Sequence, residues 1–590
     1  MSARSANALA AAALALTGLL AACSGGVTGP DRSTPSASSV PPSPVATDKP
    51  GGTLRIVGQT MPSGDPGWAD DSASRSLLRM VSRQLYSYPS TDDPAAATTP
   101  VPDLAAGAPV VTDGDRTWTV KVRPAARWDV PGGRRVTATD VARGIKRLCT
   151  PPDQAPERGY FAATVVGFTA YCARVARTPA SRVPDLIEST DIPGVQVIGD
   201  DTVTFHLLAP ASDFTDVLAL PGASPVPLEE LAYPPNSAEY LSHLISDGPY
   251  HFTGPPTGNV YRLSRNSSWT ASSDTIRAAF ADHVTITTGM SADAVQSALD
   301  HGQADMELDT AVPSGDVADL VRDPAGRLVL DGPTTLTALV VGLHGPASKA
   351  LRNTYVRRAL PYCVDRSTVA DSLGGANVAE PTGQLLGPTM LGYVPTDPFP
   401  SFGDAGDPAQ CRARLAAAGS ARPAALVLLA PATPTATQVA ATLVASFARA
   451  GVTLTVTTVA PAAFARAAVS PTKQSWDLAL TTVTPDWYGA AGRTVFQPLL
   501  DGDWKGPRPA DGGFRSVAVT TMLAAALAQR DTTKAQAAWA ALDDRIASDV
   551  AVVPLVRTVT PRFHGTNVRG FVVVPSLGDG DPTNVSLSVT

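Results

Sequence analysis

Apolar and polar residues alternate over Thr117–Val122, with Trp118, Val120 and Val122 on one face and Thr117, Thr119 and Lys121 on the other. That period predicts a strand with one buried and one wet side. The alternation returns in Val195-Gln196-Val197 and in Val203, Phe205 and Leu207, separated by Gly199-Asp200-Asp201, which predicts a hairpin. Helical spacing appears where Leu77, Leu78, Val81 and Leu85 share a stripe, and again at Val141, Ile145 and Leu148. The second stripe follows Thr137-Ala138-Thr139-Asp140, which has the spacing of a capping box. Gly51–Val57 reads as a short strand opening the folded part. In the second half, Ala425–Leu429 and Val452–Val456 are apolar strands, with a helix between them striped by Val439, Leu443 and Phe447 and stopped at Gly451. This βαβ unit, with a further strand at Trp476–Leu480, predicts a mostly parallel sheet covered by helices.

The apolar run Ala8–Ala22 has a different character. Its 15 residues follow Arg4, are mostly alanine, and end in Leu20-Ala21-Ala22-Cys23. A bilayer needs roughly 20 apolar residues, so the pattern reads as a secretory signal peptide, residues 1–22, rather than a membrane span. Its end resembles the lipobox of bacterial lipoproteins, in which the cysteine, here Cys23, is lipidated and becomes the mature N-terminus. Residues 24–50 hold 18 Ser, Thr, Pro or Gly in 27 and show no apolar period. The segment 23–50 is therefore expected to be a lipidated, flexible tether with a reach of about 30 Å.

What remains is long enough for two or three lobes. With 44% hydrophobic and 17% charged residues the chain reads as globular. The net charge of −7, without clustered Lys and Arg among aromatics, argues against nucleic acid as a partner. Once Cys23 is set aside, Cys149, Cys172, Cys363 and Cys411 are left, an even number in an oxidising compartment. Four cysteines allow three pairings; proximity favours Cys149–Cys172 and Cys363–Cys411, each contributing about 3 kcal/mol. No two lie at zinc-ligand spacing, so no metal is expected.

A series of short blocks in fixed order then resembles one family. Gly51-Gly52-Thr53-Leu54-Arg55 opens it, and Pro102-Asp103-Leu104-Ala105 with Asp113–Arg123 form its most recognisable part. Val136–Val141, Asp247-Gly248-Pro249-Tyr250, Arg265-Asn266 and Gly302-Gln303-Ala304-Asp305 follow. Val356–Leu360, Val364-Asp365-Arg366 and Val568-Arg569-Gly570-Phe571 complete it. Together they resemble the family 5 solute-binding lipoproteins of ABC importers, which carry oligopeptides, dipeptides or nickel; the Ala-, Pro- and Arg-rich composition fits an actinobacterial source. Two blocks depart from the pattern: Gly342-Leu343-His344 replaces the usual Leu-Asn, and Pro485-Asp486-Trp487-Tyr488 matches the family's Ala-Asp-Tyr stretch only loosely.

The resemblance implies an α/β, two-lobed periplasmic-binding-protein fold (type II, cluster C) with an extra subdomain in lobe I. Lobe I would hold residues 51–306 and 555–590, with the subdomain at about 89–190, and lobe II residues 307–554. The cysteine pairs would staple the subdomain and lobe II. A monomer would sit outside the cytoplasmic membrane, anchored through Cys23, enclose its solute by hinge closure, and pass it to the permease and ATPase subunits. No cofactor is implied.

A binder that tolerates many peptides must grip what all peptides share, by strand-like backbone pairing and a carboxylate for the α-ammonium. Asp486 falls on the family position of that carboxylate, with Trp487 and Tyr488 beside it; a solvated Pro-Asp turn is the alternative. Arg493 is a candidate partner for a ligand carboxylate, weighed against a surface arginine. Trp68 is a candidate cleft wall, weighed against a core aromatic. Enzyme motifs are wanting: there is no Gly-x-Ser-x-Gly, His-Glu-x-x-His or phosphate loop, and the histidines at 206, 243, 251, 283, 301, 344 and 564 are scattered. Ser470-Pro471-Thr472-Lys473 satisfies Ser-x-x-Lys without its partner elements. The resemblance leaves two other roles open: a transport-derived regulator of envelope glycolipid assembly, and a binder of a non-peptide solute such as a metal chelate.

Overall fold

In the computed structural model of the chain, residues 50–150, 155–330, 332, 334–419, 423–470 and 474–588 are described. The signal segment, Cys23, most of the tether and Pro471-Thr472-Lys473 lie outside them. The strand Thr53–Val57 forms where expected. It sits in a five-stranded sheet ordered Met306–Glu307, Thr53–Val57, His283–Thr287, Val260–Arg265, Tyr250–Phe252. Its first two pairings are parallel and the others antiparallel. Leu54, Ile56, Val284, Ile286 and Met306 bury one face under Leu77, Leu78 and Val81 of the helix Ser72–Val81.

A four-stranded antiparallel sheet is inserted into this lobe, ordered Val110–Thr112, Thr117–Lys121, Thr202–His206, Val195–Ile198. Alternation is legible here because Trp118 and Val120 are buried while their neighbours are not. The helix Ala138–Arg147 begins with the capping box of Thr137 and Asp140, which satisfies N–H groups otherwise left without partners. Val141, Ile145 and Leu148 are buried. Cys149 is bonded to Cys172.

The second lobe is a six-stranded sheet ordered Ala379–Pro381, Val552–Val559, Thr334–Val341, Leu478–Val483, Ala425–Pro431, Thr453–Val459. The βαβ unit is present: Ala425–Pro431 and Thr453–Val459 pair in parallel, with the helix Pro434–Arg449 between them. Gly451, at φ 73°, ends that helix. The sheet as a whole is mixed rather than mostly parallel, since three of its five pairings are antiparallel. The reason is topological: Thr334–Val341 enters from the other lobe and Val552–Val559 leads back to it, so neither is set by the βαβ crossover that makes its neighbours parallel. Pro554 has no N–H to give the ladder, and the register shift opposite Thr337 and Ala338 absorbs it. Cys363–Cys411 fastens the helices Leu360–Cys363 and Pro408–Ala417 on this lobe.

The chain crosses between lobes twice, and at the crossing Leu328–Val329 pairs with Arg562–Phe563. The strand Val552–Val559 belongs to the second sheet along its whole length, so the sheet passes residue 554, and the inserted sheet runs to His206, past 190. One buried cluster joins the inserted sheet, through Trp118, Phe205 and Phe214, to Trp487, Phe496, Trp504 and Trp539 of the second lobe.

Candidate functional site

The segment after the strand Leu478–Val483 faces the first lobe. Its conformation depends on Gly489, whose φ of 71° favours glycine and where a Cβ would come within 2.7 Å of the Thr98 carbonyl. The Gly489 amide donates to the Thr389 carbonyl at 3.1 Å, and its carbonyl accepts from the Leu391 amide at 2.7 Å. This fixes Asp486, Trp487 and Tyr488 against the opposite lobe.

Arg75, on the helix Ser72–Val81, donates from Nη2 to one Asp486 oxygen at 2.9 Å and from Nη1 to the Ser576 carbonyl at 3.2 Å. The Tyr160 hydroxyl, on the helix Arg158–Thr164, donates to the other Asp486 oxygen at 2.6 Å. Burial, reinforced by the Asp486 charge, pushes the Tyr160 hydroxyl well above its usual range, so it remains a donor. Each Asp486 oxygen thus has one donor and retains acceptor capacity. The Asp486 side chain is 34% exposed, which leaves that capacity open.

The aromatics beside Asp486 are walls of a dry interface. Trp487 is fully buried, donates from Nε1 to the Ala490 carbonyl at 3.2 Å, and packs on Tyr160 with ring centres 4.9 Å apart. Tyr160 also packs on Trp504 at 5.0 Å. Gly159 permits this approach, because a Cβ there would come within 2.6 Å of the Trp504 ring. Tyr488 is buried, and its hydroxyl donates to the Thr334 carbonyl at 3.4 Å.

The other two candidates lie elsewhere. Arg493 is neither exposed nor turned to the cavity; it is buried, pairs with Asp213 at 2.9 Å and donates to Thr164 Oγ1 at 2.7 Å. Its guanidinium is committed to residues of the first lobe, which removes it as a partner for a ligand carboxylate. Trp68 is also buried, in the turn Pro66–Trp68, with the Arg147 guanidinium 5.5 Å from its ring centre. It belongs to a packed core next to the Arg147–Asp65 ion pair rather than to a cleft wall.

Sequence reading missed Arg75, Tyr160, Asp213 and Glu157. Arg75 carried a signal, since it lies three residues before Leu78 on the apolar stripe, where a charge needs a partner. Glu157 carried none. Its carboxyl is buried, accepts the Gly222 amide on Oε2 at 2.5 Å, and has no partner on Oε1 among the described residues. Burial pushes it up to about 8, against the opposing pull of Arg75.

Two cavities lie between the lobes. A small one of about 30 Å³ is lined by Arg75, Tyr88, Leu220, Asp486 and Leu577, room for a group the size of a water molecule. The other, of about 580 Å³, is bounded by Thr98 and Phe571 of the first lobe, Leu330 at the crossing and Thr389 of the second. That volume is in the range of small-molecule sites. A larger groove, about 700 Å³, lies on the outer face of the insertion between Val183 and Tyr233, away from these residues. Among the described residues no group of His, Cys, Asp and Glu is placed to hold a metal ion.

A family model described as bacterial extracellular solute-binding proteins, family 5 (middle region), matches residues 99–503. No curated protein matches the chain. Among solved structures, the clavulanic acid biosynthesis oligopeptide binding protein 2 is 26% identical, with 92% of this chain and 96% of that one covered at a TM-score of 0.81. The murein tripeptide binding protein MppA of Escherichia coli is 17% identical over 91% of this chain and 99% of its own, at 0.70. DppA from Helicobacter pylori, in complex with the peptide STSA, is 17% identical over 92% and 99%, at 0.68. The last two likenesses show the fold alone.

Proposed function

Because the chain belongs to the bacterial extracellular solute-binding proteins of family 5, we propose that it captures peptides between its lobes and delivers them to the permease of an ABC importer. Lobe I is taken as residues 51–307 with 560–590, including the insertion, and lobe II as 334–559. The protein is a monomer held outside the cytoplasmic membrane by lipid on Cys23.

Asp486 is the observation that carries this reading. Its carboxylate faces the opposite lobe, is fixed by Arg75 and Tyr160, and keeps lone pairs free on an exposed edge. An α-ammonium placed there makes a charge-assisted bond that offsets its desolvation. The 580 Å³ cavity adjoins the same loop, since Gly489 contacts both Thr98 and Thr389 of its wall. The site binds a solute and carries out no reaction on it.

Native mass spectrometry of residues 24–590 purified gently from the host tests this. Bound masses spaced by amino-acid residues are the expected result, and Asp486→Ala is expected to lower peptide affinity at least about tenfold, or 1.4 kcal/mol. A single non-peptide mass would replace peptides by another solute. An empty protein that ignores a peptide mixture would support the regulatory role instead.

A further inference from the structure

Glu157 stands where an ordinary structural carboxylate would be expected to have partners for both oxygens. It stands at the first position before the helix that carries Tyr160, without a side-chain capping bond to it, and so lies next to the element whose hydroxyl holds Asp486. Oε2 is occupied by the Gly222 amide and Oε1 by nothing among the described residues, although the residue is only 3% exposed. Gly222 follows Leu220 and Pro221, which line the small interlobe cavity together with Arg75 and Asp486.

The charged groups whose fields act on Glu157 are Arg75 from the helix Ser72–Val81, Asp486 from the second lobe and Asp70 just before that helix. The one cation among them does not close the gap. Arg75 gives its two terminal nitrogens to Asp486 and Ser576, and its Nε has no partner among the described residues. Three carboxyls therefore surround a single guanidinium, and one buried carboxyl oxygen is left open.

We propose, resting on the interlobe site described above, that Glu157 is a second specificity-determining carboxylate that accepts a side-chain ammonium of the solute beside Asp486. The preferred solutes are thus peptides bearing a side-chain ammonium in addition to the α-ammonium. With burial holding Glu157 near 8, the carboxyl is protonated at neutral pH. Binding a cation converts Glu157–COOH and R–NH3⁺ to a Glu157–COO⁻ and R–NH3⁺ pair, with the proton released to solvent. Affinity for a cationic solute then falls as pH drops below about 8, by up to about tenfold per unit, until the bound-state value is reached.

Calorimetry on residues 24–590 tests this with three probes: Lys-Ala-Ala, Ala-Ala-Ala and agmatine, each in two buffers of different ionisation heat at pH 7. The expected result is tighter binding of Lys-Ala-Ala than of Ala-Ala-Ala by tenfold or more, with close to one proton released. Glu157→Gln is expected to remove both the preference and the proton release while still binding Ala-Ala-Ala. Both tripeptides binding alike and without proton release in the wild-type protein would overturn the proposal and leave the peptide reading intact. Agmatine binding with a proton release lost in Glu157→Gln, while neither tripeptide binds, would uphold Glu157 and overturn the peptide reading. No binding of any probe would overturn both. The wild-type proton count decides the matter even if Glu157→Gln does not fold.

Discussion

Arg493 and Asp213 form a buried ion pair between lobes, and such a pair is sensitive to losing one member. The Arg493→Ala variant leaves the Asp213 carboxylate buried without its partner and is expected to lose about 3–5 kcal/mol in urea unfolding. Replacing both by apolar residues of similar size, Arg493→Met with Asp213→Leu, is expected to recover most of that loss. A double variant no more stable than Arg493→Ala would show that the pair is not coupled as its 2.9 Å separation implies. Nothing near residue 493 signals a partner in a distant segment, which is why the sequence left it between ligand contact and surface. Asp486 differs because its neighbours Trp487 and Tyr488 and the family block mark it, and it does face the other lobe. Its pairing with Arg75 and Tyr160 was hidden, because the three residues come from three separate elements.

At the scale of elements, what the sequence disclosed follows from how one-sided each element is. The strand Thr117–Lys121 buries one face, and the helix Ala138–Arg147, although buried on almost every side, keeps Val141 and Ile145 on one stripe and its charges on the rest, so their period survives in the sequence. Leu328–Val329 and Arg562–Phe563 are two residues each, too short for any period, yet they form the crossing on which the lobes are joined. The six-stranded sheet was misjudged for a related reason: runs such as Ala338–Val341 are apolar and buried throughout, and an apolar run gives no direction of pairing. Between helices, Cys363–Cys411 ties Pro408–Ala417 to Leu360–Cys363 across a separation of 48 residues. By chain entropy a loop of that size contributes about 4 kcal/mol. The Cys363→Ser, Cys411→Ser variant is therefore expected to unfold at markedly lower urea, with an m value that rises because the unlinked unfolded chain exposes more surface, measured by circular dichroism. An unchanged midpoint would place that stability in the helix packing alone.

The whole molecule buries many carboxyls. Burial pushes Glu157, Asp216 and Asp247 up to about 8 and Glu230 up to about 7. In the unfolded chain such groups titrate at about 3.9 to 4.3. Between those limits the folded state holds protons that the unfolded chain has released, so each step up in pH through the window removes stability. Asp274 and Asp581 act in the opposite sense, being held below their usual values by Arg277 and Arg79 after the adverse effect of burial. Their contribution is complete above about pH 4 and disappears only as pH falls below it. From pH 5 to 8, then, the raised carboxyls set the slope against the smaller opposing effect of His564, which burial holds below its usual value, and the thermal midpoint is expected to fall across that range, measured by calorimetry at constant ionic strength. A midpoint that is flat or rises toward pH 8 would show that these carboxyls are ionised in the fold, Glu157 among them. The Glu157→Gln variant separates its share, because its midpoint should fall less steeply with pH than that of the wild-type chain. Adding a cationic peptide should flatten the same slope, since a solute that takes the place of the Glu157 proton stabilises the clamp most where that proton is already lost.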